Sequence, residues 1–188
     1  MVPWERFKKE KLEIVRQALT VHDIGGGAGP QNRKHYQNYV LVDVDASYRP
    51  DVVADIQALP FADNSLEAVL CFDVLEHVER PWLAVAELHR TMKPGAPCIL
   101  AVPFLWAYHA APGHYHDYWR FSADALRSLF KDFSSVEIVK RGGLLTTIAN
   151  LIPSYTYLDR LARPVTEKID ELIGSPGSTR GYFVYVVK

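Results

Sequence analysis

The sequence is short of several things, and each shortage removes a class of protein. Only two cysteines occur in 188 residues, Cys71 and Cys98, and both sit inside apolar runs. That is no disulfide framework, and the pair reads as buried free thiols in a reducing compartment. The formal net charge is -1, with no block of one sign, so nothing marks a nucleic-acid partner. No apolar run approaches the ~18–20 residues that span a bilayer. The opening MVPWERFKKEKLEIV has no apolar signal core. Internal repeats and low-complexity stretches are missing as well. With 48% hydrophobic residues the chain can bury a full core. The expectation is one cytoplasmic domain over residues 1–188.

Along the chain, short apolar runs alternate with turns and helical patterns. Residues 5–19 form a lead helix, with Phe7, Leu12, Val15 and Leu19 at helical spacing. Strands are expected at 19–24, 39–44, 52–54, 66–72, 98–102, 136–139 and 182–187. Helix 81–92 starts at Pro81 and carries Trp82, Val85, Leu88 and Met92 on one face. Ser122 caps a helix that turns Leu126, Leu129 and Phe130 inward. Strands alternating with helices make an α/β domain with a mostly parallel sheet. The connections after the first two strands leave little room for full helices.

The first strand closes on HDIGGGAG, residues 22–29. Glycines let a backbone turn sharply and approach a ligand closely, although a plain tight turn needs them too. Strand-end loops are where open α/β sheets bind ligands. An acid follows at the end of the second strand, Asp43 in LVDVD, with Asp45 a close competitor. A carboxylate there can accept both hydroxyls of a ribose. The dinucleotide pattern G-x-G-x-x-G fails, because Pro30 stands where its third glycine belongs.

The run D-x-G-x-G-x-G resembles motif I of the class I S-adenosylmethionine-dependent methyltransferases. VADI (53–56) with LPFADNS (59–65), CFDVLEHV (71–78) and LHRTMKPG (88–95) resemble that family's later motifs in order, over residues 21–103. The resemblance implies a Rossmann-like seven-stranded, mostly parallel sheet with helices on both faces and the last strand antiparallel. It implies S-adenosyl-L-methionine as cofactor. Gly25, Gly27 and Gly29 would line its methionine half and ribose, and Asp23 would orient its amino group. Asp43 would hold the ribose diol. Asp55 and the Ile56 backbone N–H would meet the adenine, and Phe72 and Asp73 would close over the cofactor.

Residues 109–121, HAAPGHYHDYWRF, follow the fifth strand on the edge where a reactive methyl would lie. The stretch resembles one in a subset of these methyltransferases linked to glycans or other small acceptors. His114 and His116 would share a face of an extended segment, with Asp117 or His109 as a third metal ligand. No strong ligand spacing is present and transfer from a sulfonium needs no metal, so none is expected. A hydroxyl or ammonium acceptor must shed a proton, and histidine suits that task. His116, placed first, His114, His109 and His77 are the candidate bases, with Asp117 or Glu76 as orienting partners. Tyr115, Tyr118 and Trp119 can stack on an acceptor, although Trp119 and Phe121 can equally pack. Arg120 can hold an anionic group or an internal carboxylate.

Residues 142–181 form a helical insert before the last strand, which divides the domain into lead helix 5–19, core 20–141, insert 142–181 and strand 182–187. Within the insert, 144–152 is apolar almost all round, and Val165, Ile169, Leu172 and Ile173 make one face that ends at Gly174. It reads first as helices over the core or a dimer contact, and second as a lid or a shallow membrane contact. Residues 175–178 read as a loose turn. The leading expectation is methyl transfer to oxygen or nitrogen of a small or glycan-like acceptor. The alternatives are a nucleotide-dependent oxidoreductase and a non-catalytic scaffold that binds the cofactor.

Overall fold

The computed structural model describes residues 3–27, 30–151, 165, 166, 168–170, 172 and 178–188. Helix α1 (Pro3–Val15) begins with a proline in its first turn, where a missing N–H costs nothing. Phe7 and Val15 are buried, with Trp4 and Leu12 beside them. The helix stops four residues short of the expected end. Gln17 and Ala18 donate to Ile14 and Val15 in tightened i→i−3 bonds, and Leu19 is left exposed as the chain reverses into the sheet.

The seven strands are β1 (Thr20–Ile24), β2 (Asn38–Asp43), β3 (Val52–Val53), β4 (Val69–Phe72), β5 (Pro97–Pro103), β6 (Ser135–Lys140) and β7 (Gly181–Val187). Their order is β3-β2-β1-β4-β5-β7-β6. Strands β1 to β5 pair in parallel, and β7 runs antiparallel between β5 and β6. Gly181 opens β7 where a Cβ would meet the Val102 carbonyl oxygen at 2.3 Å. The links after β1 and β2 are 3-10 turns, Pro30–His35 and Ala46–Tyr48. Chain order reverses between β1 and β4, which makes the carboxyl ends of those strands the place for a ligand crevice.

Helices cover both faces. Val69, Cys71, Leu100 and Val184 pack toward α2 (Pro81–Thr91) and α3 (Ala123–Leu129), while Leu70, Ile99 and Phe183 pack toward α1. Cys71 and Cys98 are buried free thiols. The inner face of α2 is Ala84, Val85 and Leu88; Trp82, expected inside, is 51% exposed and meets Trp119 edge-on instead. The Ser122 hydroxyl caps α3 by accepting from the Ala125 N–H at 3.2 Å, and Leu126 and Phe130 are fully buried.

The insert contributes α4 (Leu144–Leu151). Asp170 caps it, accepting from the N–H groups of Gly143, Leu145 and Thr146 and from the Thr146 hydroxyl. This reverses part of the expected amphipathic face: Asp170 is buried, whereas Val165 and Leu172 are exposed. The cap outranks the apolar stripe because four donors at a helix start need an acceptor. Ile152, Ile173, Gly174 and residues 175–177 lie outside the described residues. No helix among those residues is long and apolar enough to cross a membrane.

Candidate active site

A cavity of about 580 Å³ opens at the reversal point of the sheet. Its floor is the carboxyl end of β1, with Ile24, Gly25 and Gly27; β2 contributes Asp43, and the turn after β4 contributes Asp73 and Val74. The glycine turn is sterically required. Gly25 has φ +73°, and a Cβ on it would stand 2.4 Å from a Val74 methyl. Gly27 also has positive φ, yet a Cβ there would meet nothing within 4 Å, so this residue faces open cavity.

Asp43 joins the loops. One carboxylate oxygen accepts from the Gly27 N–H and the other from the Asp45 N–H, each at 2.9 Å. A carboxylate has about four acceptor positions, so two remain for a ligand. Asp55, Ile56 and Gln57 form the far wall. Asp55 is exposed there and receives the Gln57 N–H at 2.8 Å.

The histidine-rich loop is the near wall, and its own arginine holds it in shape. Arg120 grips Asp117 with two nitrogens, at 2.5 and 2.7 Å, and also donates to the carbonyls of Trp106, Ala107 and Trp119. This pairing holds the Asp117 carboxyl down to about 2. Asp117 in turn accepts from the His109 N–H at 2.8 Å. The loop is pinned to the turn after β4 where the Glu76 carbonyl accepts from the N–H groups of Tyr118 and Trp119, and the Trp119 indole donates to Val78. It reaches the opposite rim through His114, 2.7 Å from the Asp45 carboxylate and stacked on Tyr48. That contact holds Asp45 down to about 2.

Beneath the loop lies Glu76, with none of its surface exposed and no hydrogen-bond partner on either carboxylate oxygen among the described residues. Burial pushes its pKa up to about 8, and the nearby Asp73 charge adds to the effect. Its Oε1 is 4.0 Å from His77 Nε2 and 3.9 Å from His109 Nε2. The outer nitrogens of both rings are occupied. His77 Nδ1 meets the His116 carbonyl at 2.5 Å. His109 Nδ1 is 3.1 Å from the Ala107 carbonyl and 3.2 Å from the Asp117 carboxylate. Those partners can only accept, so each Nδ1 carries the proton and each Nε2 is left as a bare lone pair in the neutral ring. Burial lowers the His77 pKa, which favours that neutral form.

Gly25, Gly27, Asp43, Asp55, Ile56 and Asp73 share this cavity with His77, His109, His114, His116, Tyr115 and Tyr118. Others stand elsewhere. Asp23 does not line the cavity; its buried carboxylate takes the Tyr39 hydroxyl. Phe72 points to the opposite face of the sheet, edge-on to Phe183 and under the Lys8 ammonium, because successive strand residues alternate. Val74, past the strand end and beyond Asp73 at φ +53°, lines the cavity that Phe72 was expected to cover. Trp119 packs on Trp82, and Arg120 adopts the internal of its two expected roles. Gly29 lies outside the described residues. His114 and His116 do not converge as the sequence suggested: His114 goes to Asp45, and the His116 ring goes to Tyr118. Tyr48, Gln57 and Glu79 also line the cavity and carried no motif that would have marked them.

Residues 22–100 match a family model described as a methyltransferase domain. A solved structure, a SAM-dependent methyltransferase from Archaeoglobus fulgidus, superposes with a TM-score of 0.66 over 98% of this chain and 92% of its own, at 18% identity. The chain has the fold of S-adenosylmethionine-dependent methyltransferases, and its residues 22–100 resemble a methyltransferase domain. An uncharacterized methyltransferase of Mycobacterium avium is 34% identical over 103 residues, which are 44% of this chain and 38% of that one. A demethylmenaquinone methyltransferase of Renibacterium salmoninarum is 41% identical over 111 residues, 52% of this chain and 46% of that one. The match thus spans less than half the length of each of these curated relatives. The matched domain supplies the glycine turn, Asp43, Asp55 and the Glu76–His77 turn, whereas the histidine loop lies beyond residue 100.

Proposed function

We propose that this methyltransferase domain binds S-adenosyl-L-methionine at the reversal point of the sheet and transfers its methyl group to a small acceptor held under the histidine loop. The observation that carries the reading is Asp43, locked onto the Gly27 N–H while keeping acceptor positions toward a cavity large enough for a nucleoside joined to an amino acid. In this reading the ribose diol binds Asp43. The adenine lies along Asp55 and Ile56. The methionine half follows the turn of Gly25, Gly27 and Gly29 toward Asp73. Asp23 acts one step back, by fixing that turn through Tyr39.

The cofactor, when bound, supplies a methyl carbon on a positively charged sulfur. The chain's own residues have to place an acceptor lone pair in line with it and remove a proton. Tyr115 and Tyr118 wall the acceptor side, with Arg120 and Trp119 fixing the loop that carries them. His77 and His109 line the cavity beside the acceptor's hydroxyl or amine, and His116 takes the proton out toward solvent. The acceptor's oxygen or nitrogen gains the methyl, its proton leaves, and the carbon–sulfur bond pair stays on sulfur.

Calorimetric titration tests this against the oxidoreductase alternative. S-adenosylhomocysteine is expected to bind with a Kd on the order of micromolar, about -8 kcal/mol, and NADH is expected not to bind. NADH binding alone would overturn the reading.

A further inference from the structure

Glu76, His77 and His109 bring three potential ligand atoms to one point. The Glu76 carboxylate is completely buried and has no hydrogen-bond partner among the described residues. A buried carboxyl group without a partner is rare and calls for an explanation. The two imidazoles do not provide one: each points a lone pair at Glu76, across gaps of 3.9 and 4.0 Å that are too long for a hydrogen bond. The ligand atoms of all three residues lie within 4.8 Å of one another. Metal ligands at bond lengths of ~2.0–2.2 Å stand roughly 3.0–3.5 Å apart. Shifts on the order of half an ångström to one ångström at the ends of these side chains close the difference.

The outer partners fit the same purpose. A ligating histidine normally hands its other N–H to a carboxylate or a carbonyl, which fixes the tautomer. His109 has the Asp117 carboxylate and His77 has the His116 carbonyl. Arg120 holds Asp117 in position in turn.

We propose that Glu76, His77 and His109 hold a first-row divalent transition-metal cation whose open positions face the methyl-transfer cavity and bind a pair of neighbouring oxygens on the acceptor. Two nitrogens and one carboxylate favour such an ion over magnesium or calcium, which prefer all-oxygen shells. No metal was expected because no strong ligand spacing is present and transfer from a sulfonium needs none; His114 and His116, the pair weighed first there, face Asp45 and Tyr118. His77 and His109 line the large cavity, and Glu76 and His109 line a smaller one of about 180 Å³ behind it, so the ion sits in the shared wall. The acceptor half of this proposal rests on the methyl-transfer reading. A hydroxyl bound to the ion sheds its proton to His116, its oxygen forms the bond to the methyl carbon, the carbon–sulfur pair goes to sulfur, and the ion keeps its charge.

The test is a Co²⁺ titration of the tag-free full chain, followed by visible absorption, with S-adenosylhomocysteine binding measured in parallel. One Co²⁺ per chain is expected. Glu76→Gln and His109→Ala should each weaken uptake by at least about tenfold, whereas His114→Ala should leave it unchanged. Catechol should shift the Co²⁺ bands and phenol should not. Absent Co²⁺ uptake, or uptake that both variants retain, overturns the ion site. Unshifted bands with catechol overturn the acceptor half. Co²⁺ uptake without S-adenosylhomocysteine binding overturns the methyl-transfer reading and leaves the ion site standing.

Discussion

Asp43→Ala is expected to weaken S-adenosylhomocysteine binding roughly a hundredfold, about 3 kcal/mol. Two losses add up. The ribose hydroxyls lose a charged acceptor, for which each hydrogen bond contributes about 1.5–3 kcal/mol. The Gly27 and Asp45 N–H groups lose the oxygens that hold the two loops together. Asp43→Asn keeps one acceptor oxygen and should fall between the two proteins. Calorimetry gives the affinity, and thermal unfolding of the same samples shows that the sheet is intact. A full-length Asp43→Ala protein that binds as tightly as the parent would remove Asp43 from the site.

Arg120→Ala is expected to lower the unfolding free energy by about 3 kcal/mol, measured by urea denaturation, and to abolish methyl transfer while leaving S-adenosylhomocysteine affinity within about twofold. The guanidinium holds both oxygens of Asp117 and three carbonyls of its own loop. Without it a covered carboxylate loses its partner, and Asp117 no longer orients His109. Arg120→Lys should recover less than half of the stability, because an ammonium cannot reproduce the planar fork. Cofactor affinity stays because Gly27, Asp43 and Asp55 belong to other elements. A variant that unfolds like the parent would mean that the loop is held by its contacts to Glu76 and Val78 alone.

The fold was legible where local pattern and tertiary position agree. The glycine turn and Asp43 at a strand end are written in short motifs, the antiparallel last strand follows from the family resemblance, and the structure has all three. Legibility fails where a choice between two buried faces decides the outcome. Phe72 lies in a strand apolar on both sides, so hydrophobicity cannot say which side holds the cavity; alternation from Cys71 does. Trp82 fits a helical stripe, yet it packs on Trp119 from a distant loop, which no periodicity within α2 records. Asp170 breaks its stripe because α4 needs a cap. The Glu76, His77 and His109 cluster was hidden for the same reason. Its members come from two segments that only the fold brings together.

The central claim is that one cavity aligns a methyl donor with the polar wall under the histidine loop. A crystal structure of the S-adenosylhomocysteine complex tests it most directly. The account predicts the ribose on Asp43, the adenine along Asp55 and Ile56, and the sulfur turned toward His77 and His109. A ligand whose sulfur faces away from those two histidines, or one seated outside this cavity, would contradict it.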